Sequence, residues 1–395
     1  MRSQRPLTAS LVAAFTAVGI GAATSLAGVC GPFTDVAADA FCPFVLEIFT
    51  LGITTGTTAT TFSPGDNVTR LQMAAFLSRT VDRVLARGGR RAAGDLFWTP
   101  RSAASVPLTT IASLTTFGSG SDGVASDGAD LWVANNTDDT VSRVRASDGK
   151  LLETWTGATS AVAVLAGPMG SVFVAGASGG STGQLYRINP AQPAGAVTTV
   201  ATTEFPSGAM AFDGARIWTT NSSSVSIITP GPVTPWTTTT GTFVGGVSPA
   251  GMVWDGSNIW ITDNSAGTLL RLDSGASVLQ TITVGSGPVE AVFDGTSIWV
   301  PNGLSNSVSV VRAATGGILA TLTGNGLNTP FAAAFDGERI LVTQYFGYAV
   351  SLWKAADLTP LGTVPMGPGS LPRGACSDGL NFWVVLTGYS ALARF

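Results

Sequence analysis

From about residue 106 onward, short runs of alternating apolar and polar residues follow one another, separated by turns rich in Gly, Asn, Asp and Ser. Residues 307–311 (Ser-Val-Ser-Val-Val) and 319–322 (Leu-Ala-Thr-Leu) are examples. Alternation over four to eight residues is typical of strands that bury one face. This part of the chain is therefore predicted to be all-β.

One unit recurs through this region: an apolar strand, Asp-Gly, a two-residue gap, an apolar residue and usually Trp. The matches begin at Asp127, Met169, Asp213, Asp255, Asp294, Asp336 and Asp378. Between Trp132 and Trp383 the mean interval is about 42 residues, the period of a four-stranded propeller blade. Asp-Gly predicts a hairpin turn, and the aromatic residue predicts packing between neighbouring sheets. We expect a seven-bladed β-propeller over residues 106–395.

The two ends of this region predict how the ring closes. The last unit contains only three strands, the third being residues 391–395, whereas an extra strand of the fourth type lies at 108–117, before the first unit. If these segments share one blade, seven four-stranded blades result and no open sheet edge remains.

Residues 31–88 have a different pattern, with apolar residues at helical spacing. One helix is predicted at about 40–51, with a proline in its first turn and Gly52 as its stop. A second is predicted to begin at Thr69, where Thr69 and Gln72 fit a capping box. The segment between them is rich in turn residues. We expect a small α-helical module.

Several motifs of this module resemble the S-layer-homology (SLH) family. They are Phe33-Thr34-Asp35-Val36, Gly52-Ile53 with Gly56, Phe62-Ser63-Pro64, Val68-Thr69-Arg70-Leu71-Gln72 and Ala74-Ala75-Phe76-Leu77. The resemblance implies attachment to cell-wall polysaccharide or peptidoglycan-linked groups, with Arg70 as the arginine that faces the ligand. Gln72 stands where the family has an acid.

A ridge of arginines follows along the second helix. Arg79 and Arg83 lie four residues apart, so they share a face and could bind carboxylates of an anionic polymer in a fork. Alternatively, this is a solvated face whose charges suit the helix C-terminus. The candidate cell-wall-binding residues are Asp35, Thr69, Arg70, Arg79 and Arg83.

The N-terminus has two arginines, an apolar stretch and small residues before Ala27, which predicts a signal peptide over 1–27. An uncleaved anchor helix and a lipoprotein cut before Cys30 are the alternatives. We expect an exported protein, located extracellularly or at the cell surface, with the module at 31–88, a linker at 89–105 and the propeller at 106–395. Export permits disulfides, and Cys30 with Cys42 would close a short loop. Cys376, in a strand pattern, is expected to be a small buried hydrophobe.

Composition narrows the chemistry. Charged residues make up 11% of the chain and the net charge is −4, so no global field favours nucleic acid. The 395 residues include no histidine. Ser-His-Asp and Cys-His catalysis and His-ligated zinc are therefore excluded. No catalytic residue, metal site or cofactor is predicted.

Candidate ligand-binding residues of the propeller fall into two sets. Three residues beyond the repeated aromatic lie polar side chains that would form a partial ring at one mouth, or else bond their own backbone in turns. They are Asn135, Asn221, Asp263, Asn302 and Gln344. Glu290 and Arg373 put charge near the start of inner strands and could bind a sugar acid or a cation. Tyr345, Phe346, Tyr348 and Tyr389 could add an aromatic platform for sugars.

The repeats resemble YVTN-type and lyase-like bacterial propellers, a resemblance of architecture more than of activity. Together with the SLH resemblance, it implies a cell-envelope protein whose propeller is a non-catalytic binding or scaffold domain for an extracellular polymer or protein. The alternatives are a lyase-like extracellular enzyme that acts without histidine, and a structural subunit of an envelope array.

Overall fold

The computed structural model describes residues 32–36, 42, 45, 48, 54, 57–58, 60–70, 73, 76–77, 80 and 123–395, except 148, 179–181 and 244–246. The chain divides into two compact units, one within residues 1–97 and the other within 98–395. The predicted signal peptide, the linker and the strand at 108–117 lie outside the described residues.

The first unit has helical residues where the sequence predicts helices. Residues 42, 45 and 48 are helical, as are 70, 73, 76, 77 and 80. The amide of Met73 donates to the carbonyl of Thr69 at 2.9 Å, so the second helix begins directly after Thr69. The described core of the first unit consists of Phe33, Val36 and Val45, and the centre of the Phe62 ring lies 5.5 Å from that of the Phe33 ring.

The second unit is a seven-bladed β-propeller, as the repeat period predicts. In the described residues, six sheets have four antiparallel strands and the last sheet has three. Blade 1 consists of β1 (Val124–Ser126), β2 (Asp130–Asn135), β3 (Thr140–Arg145) and β4 (Leu151–Thr156). Blade 2 consists of β5 (Ala163–Ala166), β6 (Val172–Ala177), β7 (Thr182–Ile188) and β8 (Thr198–Glu204). Blade 3 consists of β9 (Pro206–Phe212), β10 (Ile217–Asn221), β11 (Ser224–Thr229) and β12 (Thr237–Thr242).

The remaining blades follow the same order. Blade 4 consists of β13 (Pro249–Trp254), β14 (Ile259–Asp263), β15 (Thr268–Leu272) and β16 (Val278–Thr283). Blade 5 consists of β17 (Val292–Phe293), β18 (Ser297–Asn302), β19 (Ser307–Arg312) and β20 (Ile318–Leu322). Blade 6 consists of β21 (Pro330–Phe335), β22 (Arg339–Gln344), β23 (Ala349–Lys354) and β24 (Pro360–Pro365). Blade 7 consists of β25 (Pro372–Ser377), β26 (Phe382–Leu386) and β27 (Ala391–Arg394), and short 3₁₀ turns lie at Pro168–Gly170 and Thr387–Tyr389.

The repeated aromatic residue joins each blade to the next. Trp299 of blade 5 is fully buried and packs with Ile340 and Val342 of blade 6. The same relation recurs around the ring, including Phe173 and Leu341 where Trp is absent. A single blade leaves both of its faces uncovered, so stacking around the ring supplies the core.

Contacts between the last and first blades close the ring. Trp383 and Leu392 of blade 7 pack with Leu131 and Val133 of blade 1. In addition, Nη1 of Arg394 donates to the carbonyl of Ser147 at 3.0 Å. Closure therefore rests in part on residues at the extreme C-terminus.

In every blade except blade 2, whose turn contains Met169 instead, the hairpin between the first and second strands is held by an aspartate. In blade 5, Oδ1 of Asp294 accepts the amides of Thr296 and Ser297, while Oδ2 accepts Nε1–H of Trp299 at 2.7 Å. The same indole-to-carboxylate bond occurs in blades 1, 3, 4 and 7, at 2.7–2.9 Å. In blade 6, where the aromatic is absent, Asp336 instead pairs with Arg339 at 2.7 Å. We call the arrangement of blades 1, 3, 4, 5 and 7, in which one aspartate bonds both the turn amides and the indole, the Asp–Trp clamp.

Candidate functional site

In the first unit, the carboxylate of Asp35 is bonded to the turn before the second helix. Its Oδ1 accepts the amide of Phe62 at 2.8 Å, and its Oδ2 accepts the amide of Ser63 at 2.6 Å. The hydrogen bond from Phe62 is the main cause that holds the pKa of Asp35 below its usual value. The carboxylate therefore fixes the loop that leads to Thr69 and Arg70.

Thr69 and Arg70 lie at the start of the second helix, and both are exposed. Because the helix begins after Thr69, its first amides and its dipole favour negative charge at this end. Arg70 adds a forked donor at the same place. Arg79 and Arg83 lie outside the described residues, so their candidacy stays a prediction.

The cysteines differ in state. Cys42 is disulfide-bonded, and Cys376 is free. Cys30 lies outside the described residues, so its pairing with Cys42 stays a prediction. Burial, followed by the charge of Asp378, raises the pKa of the Cys376 thiol far above its usual value. This thiol, packed beside the core between blades 7 and 1, is therefore a poor nucleophile.

The polar residues proposed to ring one mouth are buried within their blades. Nδ2 of Asn302 donates to the hydroxyls of Ser307 and Ser309, at 3.1 and 3.0 Å. Asn135 and Asn221 make the same pair of bonds to hydroxyls of their third strands. All three side chains are at most 2% exposed, so they bind the second strand to the third.

Asp263 and Gln344 are also committed to contacts inside the protein. Oδ1 of Asp263 accepts the amides of Ser248, Ser265 and Ala266 at 3.1–3.2 Å. Oε1 of Gln344 accepts the amide of Asn328 at 2.9 Å, and its Nε2 donates to the hydroxyl of Ser351. Both residues are nearly inaccessible. These five positions thus organise turns and strands beneath the face of the ring.

Glu290 and Arg373 lie at the end of the ring where inner strands begin and second strands end, here called the upper face. Pro330 pairs with Gln344 at this end of blade 6. The amide of Glu290 donates to the carbonyl of Phe331 at 3.2 Å. The guanidinium of Arg373 lies 4.8 Å from the ring centre of Phe331. Blades 5, 6 and 7 thus meet around Phe331.

Aromatic rings extend this site outward. The Arg373 guanidinium also lies 5.5 Å from the Tyr345 ring, and the Tyr345 and Phe346 rings meet edge to face at 4.7 Å. We call Glu290, Phe331, Tyr345, Phe346 and Arg373 the mouth cluster. Of these, sequence reasoning missed Phe331. Phe331 and Arg373 each follow the proline that begins an inner strand, so aligning the units would have placed them side by side.

Two classes of site are not found in the described residues. Nowhere in them do three or more Cys, Asp or Glu side chains gather as metal ligands. None of the helices that the structure describes has the length and apolar character required to span a membrane.

Comparison with protein families identifies the first unit. Residues 32–74 match the S-layer homology domain. Such a domain indicates a cell-surface protein, and domains of this kind generally bind secondary polymers of the cell wall. A search of curated protein sequences finds no match.

Solved structures resemble the second unit. One is a catalytically inactive virginiamycin B lyase from Staphylococcus aureus with quinupristin, with 17% identity, a TM-score of 0.59, and coverage of 73% of this chain and 97% of that chain. Hydrazine synthase of Kuenenia stuttgartiensis has 17% identity, a TM-score of 0.56 and coverage of 70% and 95%. The WD40 propeller domain of Doa1 has 12% identity, a TM-score of 0.55 and coverage of 74% and 94%. These similarities establish a shared propeller fold.

Proposed function

We propose that this chain is an exported cell-envelope protein whose S-layer homology domain binds cell-wall polysaccharide or peptidoglycan. The propeller is then a non-catalytic binding or scaffold domain held at the cell surface. The observation that carries the proposal is the family match over residues 32–74, which includes the exposed Thr69 and Arg70.

The arrangement around Arg70 supports polymer binding. Both oxygens of the Asp35 carboxylate accept backbone amides, those of Phe62 and Ser63, and so hold the turn before the helix. Arg70, at a helix start, remains exposed to an anionic group of the polymer. A guanidinium hydrogen-bonded to such a group contributes about 1.5–3 kcal/mol.

Co-sedimentation of the purified full-length protein with sacculi from its own host tests this proposal. Arg70→Ala is expected to weaken retention about tenfold, because it removes a charged hydrogen-bonding partner. Arg312→Ala is the matched control, since Arg312 is an exposed arginine of the propeller. The proposal fails if wild-type protein does not sediment, or if both variants sediment alike.

A non-catalytic propeller is supported by the composition of its inner strands. These strands carry mainly small apolar residues, such as Ala333 and Ala334, which are buried in the cores between blades. The chain contains no histidine, so the general acid of a lyase-like reaction would have to be another residue. The mouth cluster instead brings three aromatic rings together with the guanidinium of Arg373, a composition suited to binding.

A further inference from the structure

The fourth strands of the blades form the outer rim of the ring, and each has one edge that its own sheet leaves open. Such an edge presents N–H and C=O groups to other chains, and proteins usually protect it with charges, prolines, bulges or a covering loop. The edge of β27 is a separate case, because residues 108–117 are predicted to pair with it. The six described fourth strands, β4, β8, β12, β16, β20 and β24, are protected unequally.

A bulge protects every described fourth strand except β12. In each of the others, one extra residue interrupts the pairing with the third strand, and a bulge of this kind turns the edge away from an incoming chain. The extra residues are Leu152, Val200, Leu279, Leu319 and Leu361. Glu153 and Glu204 add charge to β4 and β8, and β24 begins and ends with proline.

The outer strand of blade 3, β12, has none of these protections. Its pairing with β11 is unbroken, from Thr229 opposite Thr237 to Ser224 opposite Thr242. Its sequence is Thr-Thr-Thr-Thr-Gly-Thr, and residues 217–254 contain no charged side chain. Among the described residues, no backbone group outside β11 bonds to this strand. β12 is therefore a regular, uncharged strand with an open edge.

The side chains of β12 suit the addition of a further strand. Thr237, Thr239, Thr240 and Thr242 are exposed, so another chain can reach them. Threonine is enriched in strands, and threonines that face each other across two strands stabilise the pair. In strand addition, main-chain hydrogen bonds along the edge supply the affinity.

The sequence of β12 is complementary to itself, which favours a second copy of this chain as the added strand. In an antiparallel pair centred on Thr240, this residue faces its own copy, Thr238 faces Thr242, and Thr239 faces Gly241. No like charges meet within the pair, although each chain carries a net charge of −4. A two-fold dimer requires one self-complementary patch of this kind on both copies.

We propose that β12 is a dimerisation edge, which pairs antiparallel with β12 of a second copy so that the two third blades share one sheet. A single strand pair is smaller than a standard interface of about 800 Å² per partner, so we expect a dissociation constant in the micromolar range. The dimer carries two S-layer homology domains. If the proposed function holds, wall binding becomes bivalent and tighter than that of one domain.

Sedimentation velocity of the purified full-length protein, between about 1 and 200 µM, tests the proposal. We expect a monomer at the low end of this range and a dimer at the high end. Thr240→Lys is expected to weaken dimerisation about tenfold, because it places two like charges opposite each other. Thr321→Lys is the matched control, since it adds the same charge at an exposed position of the bulged strand β20, and it should leave dimerisation unchanged.

A cysteine cross-link locates the contact. At the centre of the pair, Thr240→Cys faces its own copy at a Cα separation of about 5 Å, within the range of a disulfide. Mild oxidation should therefore give a covalent dimer. Thr321→Cys, in the same conditions, should stay monomeric.

Three results would each overturn the proposal: a monomer at about 200 µM, equal effects of the two lysine variants, or a dimer that Thr240→Cys does not cross-link. An edge already covered by another segment of this chain gives the first result. Both lysine variants change exposed side chains, so wild-type melting temperatures verify that they are folded. Sacculus retention separates the two claims, because a retained monomer leaves the wall-binding proposal standing, and a dimer that is not retained contradicts only wall binding.

Discussion

At the residue scale, the Asp–Trp clamp explains why the repeat conserves its spacing within this chain. A carboxylate that accepts two turn amides and a buried indole N–H joins the hairpin to the core between blades. The indole N–H has to find an acceptor because it is removed from water. An aspartate five residues before the tryptophan supplies that acceptor in blades 1, 3, 4, 5 and 7.

Removing one clamp should be costly. Asp294→Ala leaves Nε1–H of the fully buried Trp299 without its acceptor, so we expect a loss of about 2 kcal/mol in the free energy of unfolding. Urea denaturation followed by tryptophan fluorescence measures it. Asp357→Ala is the control, since Asp357 bonds only the exposed turn at Thr359, and it should change stability by less than about 0.5 kcal/mol. Equal losses would contradict the clamp.

The clamps also predict how stability depends on pH. Burial alone would raise the pKa of Asp127 and Asp213, but hydrogen bonds from Trp132 and Trp218 and from turn amides bring each pKa below its usual value. Groups with a lowered pKa stabilise the fold above the pKa of the unfolded chain, and this contribution is lost as pH falls through the folded value.

We therefore expect the melting temperature to fall as the pH decreases below about 4. The double variant with Asp127→Asn and Asp213→Asn should start from a lower melting temperature and show a shallower decline. Melting curves between pH 3 and 6, at constant ionic strength, provide the comparison. Parallel curves for the two proteins would show that these carboxylates do not contribute to the acid dependence.

Individual polar residues were the hardest to interpret from sequence. Asn135, Asn221 and Asn302 were predicted either to form a partial ring at one mouth or to bond their own backbone in turns. Here hydroxyls of the third strand accept hydrogen bonds from the Nδ2 groups, so these donors are buried with partners. The partner serines lie up to seven residues away, and only the register of the hairpin shows that they meet.

At the scale of elements, the strands were largely predictable because alternation and Asp-Gly turns repeat with one period. Contacts between blades were not, since they join residues about 40 positions apart. One example is the close approach of inner strands at Gly251, where a Cβ would lie 2.4 Å from the carbonyl oxygen of Val289. Phe331 and Arg373 likewise become neighbours only when blades 6 and 7 are placed side by side.

The last strand, β27, should matter more than its four residues suggest. Deleting residues 390–395 removes Leu392 from the core beside blade 1 and Phe395 from the core between blades 6 and 7, and it exposes the edge of β26. Because each interface supports its neighbours, we expect a much lower melting temperature and aggregation. Differential scanning calorimetry with light scattering measures both effects.

The control is a deletion of similar length in the predicted linker, residues 90–95, which should leave the melting temperature nearly unchanged. If the two truncated proteins melt together, the C-terminal strand does not close the ring, and the assignment of strands to blade 7 would need revision. The contribution predicted for residues 108–117 would be tested separately by their deletion.

At the scale of the whole molecule, the division into a small helical unit and a large β-ring follows from the change in hydrophobic period near residue 100. The number of blades follows from dividing the length of the repeat region by the mean interval between repeats. What the pattern alone does not give is how the exposed side chains differ around the ring, because the seven units look alike in sequence except at a few loop positions.

The bond between Arg394 and Ser147 joins residues 247 positions apart, and the core around Trp383 and Leu131 has a similar separation. Contacts of such long range form late, since the intervening chain has to be ordered first. If the chain emerges from a translocation channel N-terminus first, the face of blade 1 that packs against blade 7 stays uncovered until the last residues have emerged. The S-layer homology domain is then available to the wall before the ring has folded. Attachment can therefore precede maturation, and the half-formed ring completes its fold while already held at its destination.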